Sequence, residues 1–244
     1  MESGELPEGR VLGLWWDPVE DNFKFYTNFH KVPKEIASGE MRPTKRQTLK
    51  LVMSVFDPLG FLAPLIIKAK ILLQEIWRSK IGWDDEIPEN LYQKWKVWIQ
   101  ELQDIKGSRI SRCYSVKIPA TNLIELHVFV DGSEKAFTAT AYLRVYDEEN
   151  SKFDVILVMA RSRVAPLKPL SIPRLELQAA VLGVRLAKAI KTELTEQPHE
   201  TYYWSDSTTV LNWIRSDARN YKQFVSHRLG ELSLIHISEP TRPY

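Results

Sequence analysis

Leu123-Ile124-Glu125-Leu126-His127-Val128-Phe129-Val130-Asp131-Gly132 is a β-prone run that stops at an Asp-Gly turn pair. The turn can return the chain into a second run, Phe137 to Tyr146, as a neighbouring strand. Phe153 to Val158 supplies a third strand. Pro173 then opens a long helix, with Leu175, Ala179, Leu182 and Leu186 as its buried stripe and Lys188 and Lys191 near its end, where they suit the helix dipole. Thr201 to Trp204 is a fourth strand, and Asp206-Ser207-Thr208 caps a helix carrying Val210, Leu211 and Ile214. The order strand, strand, strand, helix, strand, helix predicts an α/β layer fold.

Upstream, Val11 to Trp16 and Phe23 to Tyr26 flank the turn residues Asp17-Pro18 through Asn22, which predicts a hairpin. Thr44-Lys45-Arg46-Gln47 is a capping-box sequence and begins a helix with Leu49, Val52, Met53 and Phe56 at helical spacing, stopped by Asp57-Pro58-Leu59-Gly60. A second helix follows Pro64, with Leu65, Ala69, Leu72, Leu73 and Ile76 on one face. A third follows Pro88, with Leu91, Trp95, Trp98, Ile99 and Leu102. Trp77, Trp95 and Trp98 recur at helical spacing and are expected in the core.

The chain has 244 residues, 44% hydrophobic, 26% charged and 11% aromatic, enough apolar content to bury a core and unlike the composition of disorder. No apolar run reaches the roughly 20 residues of a membrane span, because Lys68 and Lys70 interrupt Phe61 to Leu73. The acidic start, Met1-Glu2-Ser3-Gly4-Glu5, is not a secretory signal, and a lone Cys113 suits a reducing compartment, so an intracellular, non-secreted, non-membrane protein is expected. The net charge of +2 is unevenly spread: residues 41–118 hold 14 basic and 8 acidic side chains, whereas residues 119–231 hold 14 of each. A basic face fits either a polyanion partner or an ordinary solvated surface. There is no internal repeat and no phosphate-cradling or nucleophile-elbow motif, and one cysteine with scattered histidines does not make a zinc site.

Three acids stand out. Asp131 closes a β-run, Asp206 follows another, and Glu176 sits near the start of the Pro173 helix. If the first and fourth strands are adjacent, Asp131 and Asp206 lie side by side and the helix can lower Glu176 onto them. Three carboxylates held together repel one another unless a hard cation neutralises them, which points to Mg²⁺, with Mn²⁺ as an alternative. Two such ions, about 3.5–4 Å apart, would activate a water and stabilise the leaving oxygen of a phosphodiester. The plainer alternatives are a turn residue for Asp131, a cap for Asp206 and a dipole partner for Glu176.

Val128-Phe129-Val130-Asp131-Gly132-Ser133-Glu134-Lys135-Ala136, Ser162 to Lys168, Ile172-Pro173-Arg174-Leu175-Glu176-Leu177 and Trp204-Ser205-Asp206-Ser207 resemble the ribonuclease H region of a BEL/Pao-type LTR retrotransposon polyprotein. Phe56 to Pro64 is similar to the segment that follows the polymerase palm in that family, and Leu12 to Trp16 resembles the palm's end. The resemblance covers residues 11–231. It implies a reverse transcriptase palm remnant over 1–40, a helical thumb- or connection-like segment over 41–118 and a ribonuclease H-like domain with a mixed sheet and flanking helices over 119–231. It also implies Mg²⁺-dependent hydrolysis of the RNA strand of RNA·DNA hybrids, with Asp131, Glu176 and Asp206 as three of four metal-binding acids. The other polyprotein segments would be its partners, in a cytoplasmic particle or the nucleus.

The family pattern continues to a fourth Asp that this sequence does not reach, so weak or no turnover is expected, and Leu232 to Tyr244 looks like a translated sequencing adapter. Lys45, Arg46, Lys50 and Lys68 are candidates for phosphate contacts to a hybrid. The competing readings are a non-enzymatic hybrid-binding remnant and an aspartic peptidase, an activity associated with the family. The peptidase needs Asp-Ser/Thr-Gly, an order that Asp131-Gly132-Ser133 and Asp206-Ser207-Thr208 do not have.

Overall fold

The computed structural model describes residues 9–11, 14–25, 29, 31–118 and 123–233. The expectations for Leu12, Gly13, Tyr26 and residues 234–244 therefore lie outside the described residues. The chain forms two units, one comprising residues up to 58 with 62–113, the other comprising 59–61 with the residues from 114 onward.

In the first unit, the expected hairpin forms from β2 (Leu14–Asp17) and β3 (Asn22–Lys24), but the run Val11 to Trp16 is not one strand: Val11 ends a preceding strand and pairs with Leu14. It belongs to a larger antiparallel sheet, β1-β2-β3-β4, completed by β1 (Gly9–Val11) and β4 (Arg109–Ser111). The turn is held by Asp17, whose carboxylate accepts from the backbone N–H of Val19 (3.0 Å) and Glu20 (3.3 Å) and pairs with Lys24 at 2.8 Å. Asp21 adopts a left-handed φ of 50° and accepts from Trp16 and Arg112. One helical turn, α1 (Lys34–Ala37), precedes three helices: α2 (Lys45–Val52), α3 (Ala63–Arg78) and α4 (Glu89–Asp104).

The capping box at α2 is complete, with Gln47 N–H donating to the Thr44 hydroxyl (3.3 Å) and Thr44 N–H to the Gln47 amide oxygen (2.8 Å). The stripes read on α3 and α4 are buried as expected. Two readings need correction. Alpha-2 ends at Val52, so Met53 (60% exposed) and Phe56 (54%) lie beyond its last turn, and the buried face is Thr48, Leu51 and Val52. Trp95 and Trp98 are core residues, but Trp77 is partly exposed, edge-on to Trp83 and beneath the Lys45 ammonium.

The second unit is built on a four-stranded mixed sheet, ordered β7-β6-β5-β8, from β5 (Ile124–Gly132), β6 (Ala136–Asp147), β7 (Lys152–Val164) and β8 (Glu200–Trp204). The β5/β6 and β6/β7 pairs are antiparallel, while β8 runs parallel to β5. That parallel pair requires a crossover, which α5 (Ile172–Glu193) provides. Alpha-5 lays Leu175, Ala179, Leu182 and Leu186 against Leu126, Val128, Ala139 and Ala141. Gly183 permits the close approach: a Cβ there would run into the Val130 side chain and meet Val128 at 3.2 Å. Beyond β8 come α6 (Thr208–Arg215), a 3₁₀ turn (Ala218–Asn220) and α7 (Gln223–Ser233). Leu232 and Ser233, grouped with the tail in the sequence, close α7, and Leu232 is buried in the core.

Beta-7 is one edge strand of this sheet, and Leu59–Phe61 covers part of it. Ala160 N–H donates to the Leu59 carbonyl at 2.8 Å, and Gly60, at φ +79°, lies against the Ala160 backbone where no side chain fits.

Candidate active site

Along β5 the side chains alternate. Ile124, Leu126, Val128 and Val130 face the α5 core, while Glu125, His127, Phe129 and Asp131 take the opposite face. Beta-8 runs beside it in parallel, pairing Phe129 with Trp204, so the strands end together and bring Asp131 and Asp206 to one rim. Both line an open depression of about 430 Å³ with Phe129, Trp204, Thr138 and Thr140. Asp131 accepts from the Gly132 N–H at 2.7 Å.

Glu176 comes to the same rim from α5. Gly132 sits directly beneath the first turn of α5: a Cβ on it would lie 2.7 Å from the Glu176 amide nitrogen and 2.8 Å from the Leu175 carbonyl carbon. The Glu176 carboxylate accepts a 2.6 Å hydrogen bond from the Ser207 hydroxyl, one residue past Asp206. The same hydroxyl accepts from Val210 N–H at 3.3 Å as the cap of α6. All three acids therefore lie at one end of the sheet. In this conformation, however, no three His, Cys, Asp or Glu side chains among the described residues are grouped so as to hold a metal ion. Three carboxylates offering oxygen donors alone are the ligand chemistry that Mg²⁺ prefers.

A feature the sequence reading missed runs down the same face. Tyr202, His127, Trp204 and Phe129 alternate between β8 and β5 as a column of near-parallel rings, with interplanar angles of 20°, 20° and 11°. Trp204 Nε1–H donates to His127 Nδ1 at 3.1 Å, leaving Nε2 to donate to Glu125, also at 3.1 Å. Glu125 also accepts from Arg144 at 2.5 Å. Burial raises the Glu125 pKa, but the Arg144 and His127 hydrogen bonds outweigh it and hold the carboxyl below its ordinary value. The signal in the sequence is the period-two series Glu125, His127, Phe129, Asp131.

The four basic candidates fall elsewhere. Lys45 donates to the Ile81 carbonyl at 3.1 Å, Arg46 pairs bidentately with Asp84, and Lys68 pairs with Glu101 at 2.6 Å. Lys50 is exposed, and its ammonium has no hydrogen-bond or ion-pair partner among the described residues. No described helix is long and apolar enough to cross a membrane.

A mixed sheet with a crossover helix on one face and acids gathered at the shared end of its parallel pair defines a ribonuclease H-like unit. The family described as Pao retrotransposon-like RNaseH-like domain matches residues 44–207, and the chain belongs to it. Among solved structures the chain is similar to a foamy viral protease-reverse transcriptase dRH in complex with double-stranded DNA, with a TM-score of 0.53 and 16% identity. The match covers 97% of this chain and 38% of that one, and at this identity the likeness is one of fold. No curated protein matches the sequence.

Proposed function

We propose that the second unit is a ribonuclease H-type domain of a retroelement polymerase that hydrolyses the RNA strand of RNA·DNA hybrids. The observation that carries this reading is that Asp131 and Asp206 line one depression, with Glu176 brought to the same end of the sheet over Gly132 and beside Ser207. Asp131, Asp206 and Glu176 would hold the divalent ions, and Glu176 would also orient the attacking water. Bound Mg²⁺ or Mn²⁺ would supply the activated water and stabilise the leaving oxygen. Ser207 is a positioning residue: its hydroxyl fixes the Glu176 carboxylate beside Asp206.

The test is incubation of the purified chain with a hybrid labelled on its RNA strand, in Mg²⁺ and then in Mn²⁺. Slow RNA-strand cleavage, abolished by Asp131→Asn, is expected. Binding without cleavage in either metal would support the second reading, a hybrid-binding remnant, which the lack of a grouped ligand trio among the described residues favours. Cleavage that survives Asp131→Asn would remove the catalytic assignment.

A further inference from the structure

A second polar concavity, of about 250 Å³, opens between α5, α7 and the strands β6 and β7 of the second unit. Arg163, Gln178, Arg185, His227, Arg228 and Glu231 line it. Three guanidinium groups thus meet a single carboxylate, and that carboxylate is committed: Glu231 accepts from Arg185 Nε at 2.5 Å and Nη2 at 2.9 Å. Arg228 lies over the Phe224 ring, 3.5 Å from its centroid, and donates one Nη1–H to the Phe224 carbonyl at 2.8 Å. Its guanidinium is therefore preorganised, with further donors to spend. Arg163, Gln178 and His227 have no hydrogen-bond or ion-pair partner among the described residues.

We propose that this concavity binds a phosphate group. A small, multiply charged oxyanion matches an excess of forked and ring N–H donors that the protein leaves unpaired, and Gln178 adds a neutral donor. Burial is the main cause that holds the Arg228 pKa below its ordinary value, with Arg185 adding to the effect against Glu231, and the charge of a bound anion would offset that shift. The position is informative. Arg163 pairs with Phe137 and Phe137 with Gly132, so Arg163 stands two strands from the Asp131 rim, roughly 10 Å at ordinary strand spacing. The phosphate is therefore separate from any that is hydrolysed at the carboxylates. It belongs either to the backbone of a nucleic acid or to a free phosphate-bearing molecule.

The site needs no metal, so the test is run in EDTA on the whole chain. Inorganic phosphate is titrated against chloride at matched ionic strength, with the melting temperature and ³¹P line width as readouts. The Arg163 and His227 side chains are exposed and make no hydrogen bonds or ion pairs among the described residues, so the double variant Arg163→Gln, His227→Gln keeps the fold. It should bind phosphate at least about tenfold more weakly than the wild type. Equal phosphate responses in the two proteins, or none in either, would overturn the proposal.

Hybrid binding as a function of salt identifies the source. If the ligand is a nucleic-acid backbone, the slope of log affinity against log salt shrinks by about 1 in the double variant. A lost phosphate response with an unchanged slope assigns the site to a small phosphate-bearing molecule. Asp131→Asn should leave the phosphate response intact, so this site and the proposed hydrolytic one fail independently.

Discussion

At the scale of single residues, Gly132 shows how closely fold and site depend on each other. It needs no unusual φ; it is small because the backbone of Leu175 and Glu176 passes within 3.0 Å of where a Cβ would be. Backbone cannot rotate away as a flexible side chain can, so Gly132→Ala should push the first turn of α5 off the sheet. The expected cost is about 1–3 kcal/mol in urea denaturation, with Glu176 displaced from the rim. Unchanged stability would show that α5 has slack there. Ser207→Ala removes both the α6 cap and the bond to Glu176 and should cost about 1 kcal/mol.

Glu125 gives the corresponding prediction for pH. Its folded pKa lies below its ordinary value of 4.5, so its contribution is present above that value and is lost as pH falls through the folded one. Glu125→Gln should therefore flatten the acid limb of the melting-temperature curve below about pH 4.5 and leave it parallel to wild type above. An acid limb identical in both proteins would remove Glu125 from the acid response. The carboxylates at the rim were legible in the sequence because an acid at the end of a strand breaks an apolar pattern. Glu176's bond to Ser207 was not, since a Ser after Asp reads locally as a cap and carries no mark of a partner 31 residues away.

At the scale of elements, what the sequence displayed depended on how local the determinant was. Alpha-3, α4 and α5 appeared as stripes because 3.6-residue periodicity is a property of one segment. The stripe on α2 was overextended, because Met53 and Phe56 keep the spacing after the helix has ended. Beta-1 and β4 have three residues each, too few for a pattern, and β4 pairs with a strand about 85 positions earlier. The aromatic column depends on the β5/β8 register, which no local window contains. Alpha-4 offers a controlled comparison of two buried tryptophans. Trp98 Nε1–H donates to the Leu65 carbonyl at 3.0 Å, whereas the buried Trp95 Nε1–H has no partner among the described residues. Replacing each with Phe removes similar ring volume, but Trp98→Phe loses a buried hydrogen bond, whereas Trp95→Phe removes a buried donor that makes none among the described residues. Trp98→Phe should therefore be the costlier change by about 1 kcal/mol in chemical denaturation. Equal losses would mean that packing alone sets both.

At the scale of the whole molecule, the acidic rim should be a cost in stability that a cation can reverse. Asp131 and Asp206 line one depression, and carboxylates brought together there without a cation would work against the folded state. If they were strand-end residues and nothing more, neutralising them would be neutral or harmful. If they serve a divalent ion, Asp206→Asn should leave the metal-free chain as stable as wild type or slightly more so. The two proteins should then part on addition of Mn²⁺. An ion bound only by the folded chain stabilises it by about 2.7 kcal/mol at a hundredfold excess over its dissociation constant. The wild type should melt at a higher temperature in Mn²⁺, and Asp131→Asn and Asp206→Asn should respond far less. Measured with no substrate present, this difference reports the carboxylates' affinity for metal whether or not the chain turns over. Equal Mn²⁺ shifts in all three proteins would place the ion elsewhere and leave the rim as ordinary strand-end chemistry.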